Sequence, residues 1–265
     1  MRKLKGFDLL VKHNNWYRVF NATRAATQPA PDFDPSDLFG EGDFGDWWDF
    51  RTNDGLFIAD DGETDPVGEN DPVGSAVGRR GVITLKQPTT GDKPLWAGNE
   101  IQSTSSSQFL EAIFDLRGPE NHSLFMVSRT VSGTSTFTNG ASILTREGGS
   151  IRLMLRQRIE NLSVVRYGSS TIVSSVNKGT DNQYASISDL EDDGGPVAVR
   201  SISTQGPDGG DYSYVLGSRA GYDRLLLSFG FGLGQPSAAS CAFYIDRDIT
   251  DGEVASLVNY FGEIL

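Results

Sequence analysis

The sequence predicts an all-β protein, a two-sheet antiparallel sandwich of jelly-roll size closed by one short C-terminal helix. Three observations predict it. From about Phe109 onward, short runs alternate apolar and polar residues, which is the period-2 pattern of strands with one buried face and one wet face. The runs are separated by breakers such as "EGGS", "NKGTDN", "EDDGGP" and "GPDGGD", with no long helical period between them, so the crossovers of a parallel sheet are missing. The chain of 265 residues carries 31 glycines for tight turns, and its 15 Phe, 8 Tyr and 4 Trp suffice for a substantial core.

The elements follow in order. Residues 1–45 form an N-terminal arm: "KGFDLLVKHNNWYRVFNA" suits a short strand pair turning at "HNN", and "NATRAATQPAPDFDPSD" is polar, Ala/Thr/Pro-rich and without period. Such a segment is either an attachment device or a free tail. Its apolar piece "FDLLV" is short and interrupted by Asp8, which fits neither a signal peptide nor a membrane span and leads us to expect synthesis in a cytoplasm. Residues 46–265 form the sandwich. Its strands are expected at "QFLEAIFDL", "HSLFMVSRTVS", "ASILTR", "SIRLMLRQR", "LSVVRYG", "STIVSSV", "QYASIS", "VAVRSIST", "YSYVLGS", "RLLLSFGFG" and "SCAFYIDRD". Thr250-Asp251-Gly252-Glu253 is a capping box opening a helix over 251–262. Val254, Leu257, Val258 and Phe261 form one apolar stripe on it, which should lie against the sandwich.

The stretch "TDPVGENDPVG" says Asp-Pro-Val-Gly twice, at 65–68 and 71–74. Two copies are too few for a solenoid. Asp60, Asp61, Asp65 and Asp71 cluster around it, and calcium is the ion such oxygen donors would suit. However, the D-x-D-x-D-G spacing is absent and both prolines stiffen the segment, so two successive acidic turns are expected and no cofactor. A net charge of −12 argues against a duplex nucleic-acid partner, which is held by Lys and Arg on phosphates.

Catalytic sets are hard to assemble. His13 lies in the arm and His122 at a strand start, so neither completes a Ser-His-Asp or Cys-His set. The lone Cys241 excludes an internal disulfide and reads as a small core residue. Carboxylates pair closely only in "EGDFGD" (Glu41 to Asp46) and "EDDGG" (Glu191 to Gly195), both glycine-rich, and in the same-face pair Glu111 and Asp115. The G-x-G-x-G of "SFGFGLGQP" opens no helix, so the dinucleotide reading fails. We therefore expect no enzyme. Trp96, Asp211, Tyr212 and Tyr214 lie beside polar turns, where sugar rings stack on aromatic faces, and they are the candidate ligand residues.

The segment from "DFDPSDLFGEGDFGDWWDF" to "TTGDKPLW" resembles the opening of laminin-G-like, concanavalin-A-like modules of tailed-phage structural proteins. Gly45, Trp47 and Asp49 match the family's G-x-W-x-D phrase. Asp71, Pro72, Val73 and Gly74 match its P-V-G turn, and Lys93-Pro94 the phrase after it. "HSLFMVSRT" is similar to its f-T-l-f-a-V-v-R strand, and "YIDRDITDGEVASLVNY" to its closing motif. The resemblance spans about residues 32–265, and departs where "GRRGVITLKQPTTG" replaces D-x-S-G-N-G. It implies a virion location and a tail, fibre or head-decoration component. The arm would tie it to other virion proteins, and the outward-facing sandwich would be available to cell-surface glycans. A homo-oligomer, a trimer by preference, is expected, without membrane insertion. The alternative is a free carbohydrate-binding module.

Overall fold

The computed structural model of the chain describes residues 33–105, 108–117, 122–131, 139–147, 150–158, 162–166, 169–174, 183–189, 197–203, 206–212, 221–229 and 236–262. His13, Tyr214, the "EDDGG" carboxylates and most of "GFGLGQP" lie outside the described residues, as does most of the "YSYVLGS" strand.

The strands begin with β1 (Gly45–Asp49), β2 (Leu56–Phe57), β3 (Ser75–Val77), β4 (Thr84–Lys86), β5 (Leu95–Trp96) and β6 (Ile101–Gln102). Longer strands follow: β7 (Gln108–Arg117), β8 (Ser123–Thr130), β9 (Asn139–Glu147), β10 (Ser150–Arg158), β11 (Leu162–Arg166) and β12 (Ser169–Ser174). The series closes with β13 (Gln183–Asp189), β14 (Val197–Ser203), β15 (Gly206–Tyr212), β16 (Tyr222–Phe229), β17 (Ser237–Ile245) and the helix α1 (Asp251–Gly262).

They form two antiparallel sheets. One, of eight strands, runs β15-β14-β13-β8-β17-β6-β5, with β1 also paired to β17; the other, of nine, runs β12-β11-β10-β9-β16-β7-β4-β3-β2. The core lies between them. Trp48, Leu124 and Met126 from the first sheet meet Leu110, Ile143 and Leu227 from the second in one buried cluster, as period-2 alternation requires. Trp48 Nε1 crosses the layers to donate to the Ala76 carbonyl at 3.1 Å. All-β, antiparallel and two-layered, the fold is the one the sequence predicts.

Two local departures have physical reasons. The glycine-rich "GPDGGD" was expected to break the chain but forms β15, paired along its length to β14. As the outermost strand of its sheet it needs only one ladder, and an edge tolerates Pro207. The alternation of one wet and one dry face also fails on β17, where every residue from Ser237 to Ile245 is buried. Trp47, Phe125 and Phe243 are buried on the face opposite the core, with the Phe39 ring 5.2 Å from that of Phe243.

The doubled Asp-Pro-Val-Gly finds its explanation here. The first copy lies beside β2: Pro66 bridges Phe57, and Val67 N donates to the Leu56 carbonyl. The second lies beside β5: Pro72 bridges Leu95, and Val73 N donates to the Pro94 carbonyl. β2 and β5 are the end strands of the two different sheets. Each copy therefore covers one open edge, each proline stands where no ladder donor is needed, and each valine is buried in the core. Gly74 is required because a Cβ there would collide with the Ile58 carbonyl.

The chain divides into two compact units, Phe39–Ile249 and a smaller one of the N-terminal segment to Leu38 with Thr250–Leu265. The sandwich belongs to the first. In the second, the capping box forms as predicted: Thr250 N donates to Glu253 Oε2 at 2.6 Å and Glu253 N to Thr250 Oγ1 at 3.3 Å. Val254, Leu257, Val258 and Phe261 are buried, and the rings of Phe33 and Tyr260 meet edge-on at 6.1 Å.

Candidate functional site

The residues that the sequence marked are held apart. Trp96 sits on β5, at one edge of the eight-stranded sheet, and Asp211 and Tyr212 end β15, at the other edge. Trp96 is half-buried, packs against the core and donates its indole N–H to the Phe50 carbonyl at 2.9 Å.

The acidic residues of the doubled turn each serve their own backbone. The Asp61 carboxylate accepts from Glu63 N and Thr64 N, both at 2.8 Å, and from the Thr64 hydroxyl. Those bonds, the hydroxyl's foremost, hold its pKa down at about 2. Asp71 accepts from Gly68 N at 2.8 Å. Asp65 turns the chain at φ 58 while its carbonyl accepts from Ile58 N at 2.8 Å, and Asp60 is exposed. Among the described residues no group of three or more His, Cys, Asp or Glu is placed to hold a metal ion.

Asp46 departs from expectation. It is not a loop carboxylate but a fully buried residue of β1. Its oxygens accept from the backbone N–H groups of Trp47, Arg80, Val82 and Ile83 at 2.8–2.9 Å. It thereby shapes the segment 78–83, where the chain departs from the family it resembles. His122 is also interior, its Nε2 2.9 Å from Thr145 Oγ1 and its ring 4.5 Å from that of Tyr222. Cys241 is buried as expected, and burial pushes its thiol pKa well up.

What the structure does assemble is a charged strip on the outer face of the nine-stranded sheet. Alternation turns Ile143, Leu225 and Leu227 inward and leaves Leu144, Arg146, Arg224 and Leu226 on the other face. There Leu144, Met154 and Leu226 form a small apolar cluster that is itself buried, with the partly buried Phe109 and Ile151 against it. Beside it, Arg224 stands directly opposite Arg146 across the β16–β9 ladder. Glu111 on β7 faces both: its Oε2 is 3.3 Å from Arg146 Nη2 and 3.8 Å from Arg224 Nη1. Lys86, exposed on β4, is the cross-strand partner of Glu111, and Asp223 Oδ1 lies 3.6 Å from Arg224 Nε. Within an acidic chain this strip is locally basic.

Solved structures share this architecture. Trypanosoma rangeli sialidase superposes with a TM-score of 0.59 at 10% identity, over 86% of this chain and 34% of that chain. The botulinum neurotoxin serotype D ligand binding domain, solved in complex with N-acetylneuraminic acid, matches with a TM-score of 0.51 at 13% identity, over 81% of this chain and 52% of that chain. At these identities the likeness is one of fold, an antiparallel β-sandwich. No family model matches the chain, and no curated protein sequence does.

These matches correct one expectation. The sequence argued against an enzyme, but the fold occurs within the chain of a sialidase, which is one. The argument searched for carboxylates close together in the sequence. A site on a sheet face is instead built across strands: Glu111, Arg146 and Arg224 come from β7, β9 and β16 and share no local spacing. A run of residues cannot reveal such a site.

Proposed function

We propose that the chain is a glycan-binding module whose binding face is the outer surface of the nine-stranded sheet. The observation that carries the reading is the strip itself: guanidinium, carboxylate and ammonium groups beside an apolar cluster, on one face of a lectin-like sandwich. Sugars are held by a few placed polar groups of this kind, and the partly buried Phe109 and Ile151 are the apolar side chains beside them. Support comes from the matched structures, which include the sialidase in complex with 2,3-difluorosialic acid and the toxin ligand binding domain in complex with N-acetylneuraminic acid. A glycan array probed with the full-length chain tests the reading. Binding to a defined glycan class upholds it, and an empty array refutes it. Assaying the bound glycans for released sugar measures whether the face also cleaves what it holds.

The setting we propose is a virion, as a tail, fibre or decoration component. The reading rests on the strand-to-helix motif "YIDRDITDGEVASLVNY", which folds as the end of β17 and the capped α1. Deleting residues 1–45 tests it, since the truncated chain should then fail to enter particles. Normal incorporation would count against attachment through the arm and favour a free module.

A further inference from the structure

The strip contains an arrangement that the protein alone leaves incomplete. Arg146 and Arg224 are directly opposed on neighbouring strands, and like charges so placed repel. One carboxylate serves both, through a single oxygen. Among the described residues the buried Nε of each arginine has no hydrogen-bond acceptor, with Asp223 Oδ1 3.6 Å from that of Arg224, although such donors are normally satisfied. Both side chains remain in reach of solvent, at 24% for Arg146 and 29% for Arg224. Lys86 adds a further cation beside Glu111. Against the three cations Arg146, Arg224 and Lys86 stand two carboxylates, Glu111 and Asp223, so the site keeps an excess of one positive charge.

We infer that this pair of arginines reads the acidic group of a sugar, a carboxylate or a sulfate, and so sets which glycans the module takes. The inference rests on the glycan-binding reading of the same face. A two-oxygen anion matches the planar fork of a guanidinium and would relieve the repulsion between the two arginines. Glu111 acts as the positioning residue, holding both side chains over the face before the ligand arrives. The chain as a whole is acidic, with a net charge of −12, so recognition must come from this local field and not from long-range attraction.

The test compares sialylated, sulfated and neutral versions of one glycan on the full-length chain and on Arg146→Gln and Arg224→Gln. Each substitution should weaken binding of the acidic glycan about tenfold or more, the loss expected for a charge-assisted hydrogen bond, and weaken binding of the neutral glycan by a clearly smaller factor. Arg146→Lys keeps the charge but loses the fork. It should recover part of sulfate binding and little of carboxylate binding, and it covers the case in which the glutamine variant fails a thermal-melt check of folding. Glu111→Gln should alter affinity for acidic glycans only. Binding of sialylated glycans alone assigns the carboxylate, and binding of both acids assigns charge; either upholds the inference. Equal binding of acidic and neutral glycans, or acid binding indifferent to both arginines, overturns it while glycan binding stands. Absence of any glycan binding overturns both.

Discussion

Replacing Asp46 by alanine removes the acceptor for three backbone donors of a neighbouring loop, those of Arg80, Val82 and Ile83 at 2.8–2.9 Å. A buried donor left without a partner costs about 1–3 kcal/mol. Water can reach the loop at the exposed Val82, so we take the lower half of that range for each of the three donors and expect a loss of about 3–6 kcal/mol, set against a typical domain stability of about 5–15 kcal/mol. Asp46→Asn keeps one oxygen and turns the other into a donor facing donors, so it should cost about half as much. The same carboxylate accounts for Gly78, where a Cβ would overlap it. Gly78→Ala alone should cost about 1–3 kcal/mol by overpacking. In the Asp46→Ala background that overlap is gone, so the double variant should be more stable than the sum of the single costs by about 1 kcal/mol or more. Urea unfolding of the four proteins at neutral pH measures each quantity. A loss below about 1 kcal/mol for Asp46→Ala, or single costs that add within about 0.5 kcal/mol, would refute the reasoning.

Three further outcomes are expected. Asp61, with a carboxyl pKa lowered to about 2, stabilises its turn fully above the ordinary carboxylate pKa and loses that contribution only as pH falls through about 2; carboxyl-resolved NMR titration should find this and Asp61→Asn should abolish it. Thermal melts in calcium and in chelator should coincide, because Asp60, Asp61, Asp65 and Asp71 do not converge, and a reproducible upward shift with calcium would overturn that placement. Tyr244 is buried, with its hydroxyl 2.9 Å from that of Tyr222, and burial first, then Tyr222, raises its pKa well above the ordinary phenol value. Its stabilising contribution should be complete below the unfolded phenol pKa, about 10, and decline as pH rises beyond it, and absorbance at alkaline pH should show Tyr244 ionising only as the chain unfolds.

By itself the sequence determined what depends on neighbours along the chain. Period-2 alternation in "QFLEAIFDL" and "RLLLSFGFG" is a local property of each strand, and it was sufficient for an antiparallel sandwich. The capping box at Thr250 and Glu253 is local too, and the helix begins where it says. Local signals misled where an environment outvoted them: "GPDGGD" reads as a breaker but is an edge strand, because an edge needs only one ladder. The doubled Asp-Pro-Val-Gly was legible as two turns, but its purpose was not, since β2 and β5 are edges only once two sheets exist. The charged strip was least legible of all. Glu111, Arg146 and Arg224 are far apart in sequence and become neighbours through the registers of β7, β9 and β16, which long-range packing decides. Strand pairing sums many cross-strand contacts that no single segment contains, so a sheet face, and whatever it binds, belongs to the tertiary structure alone.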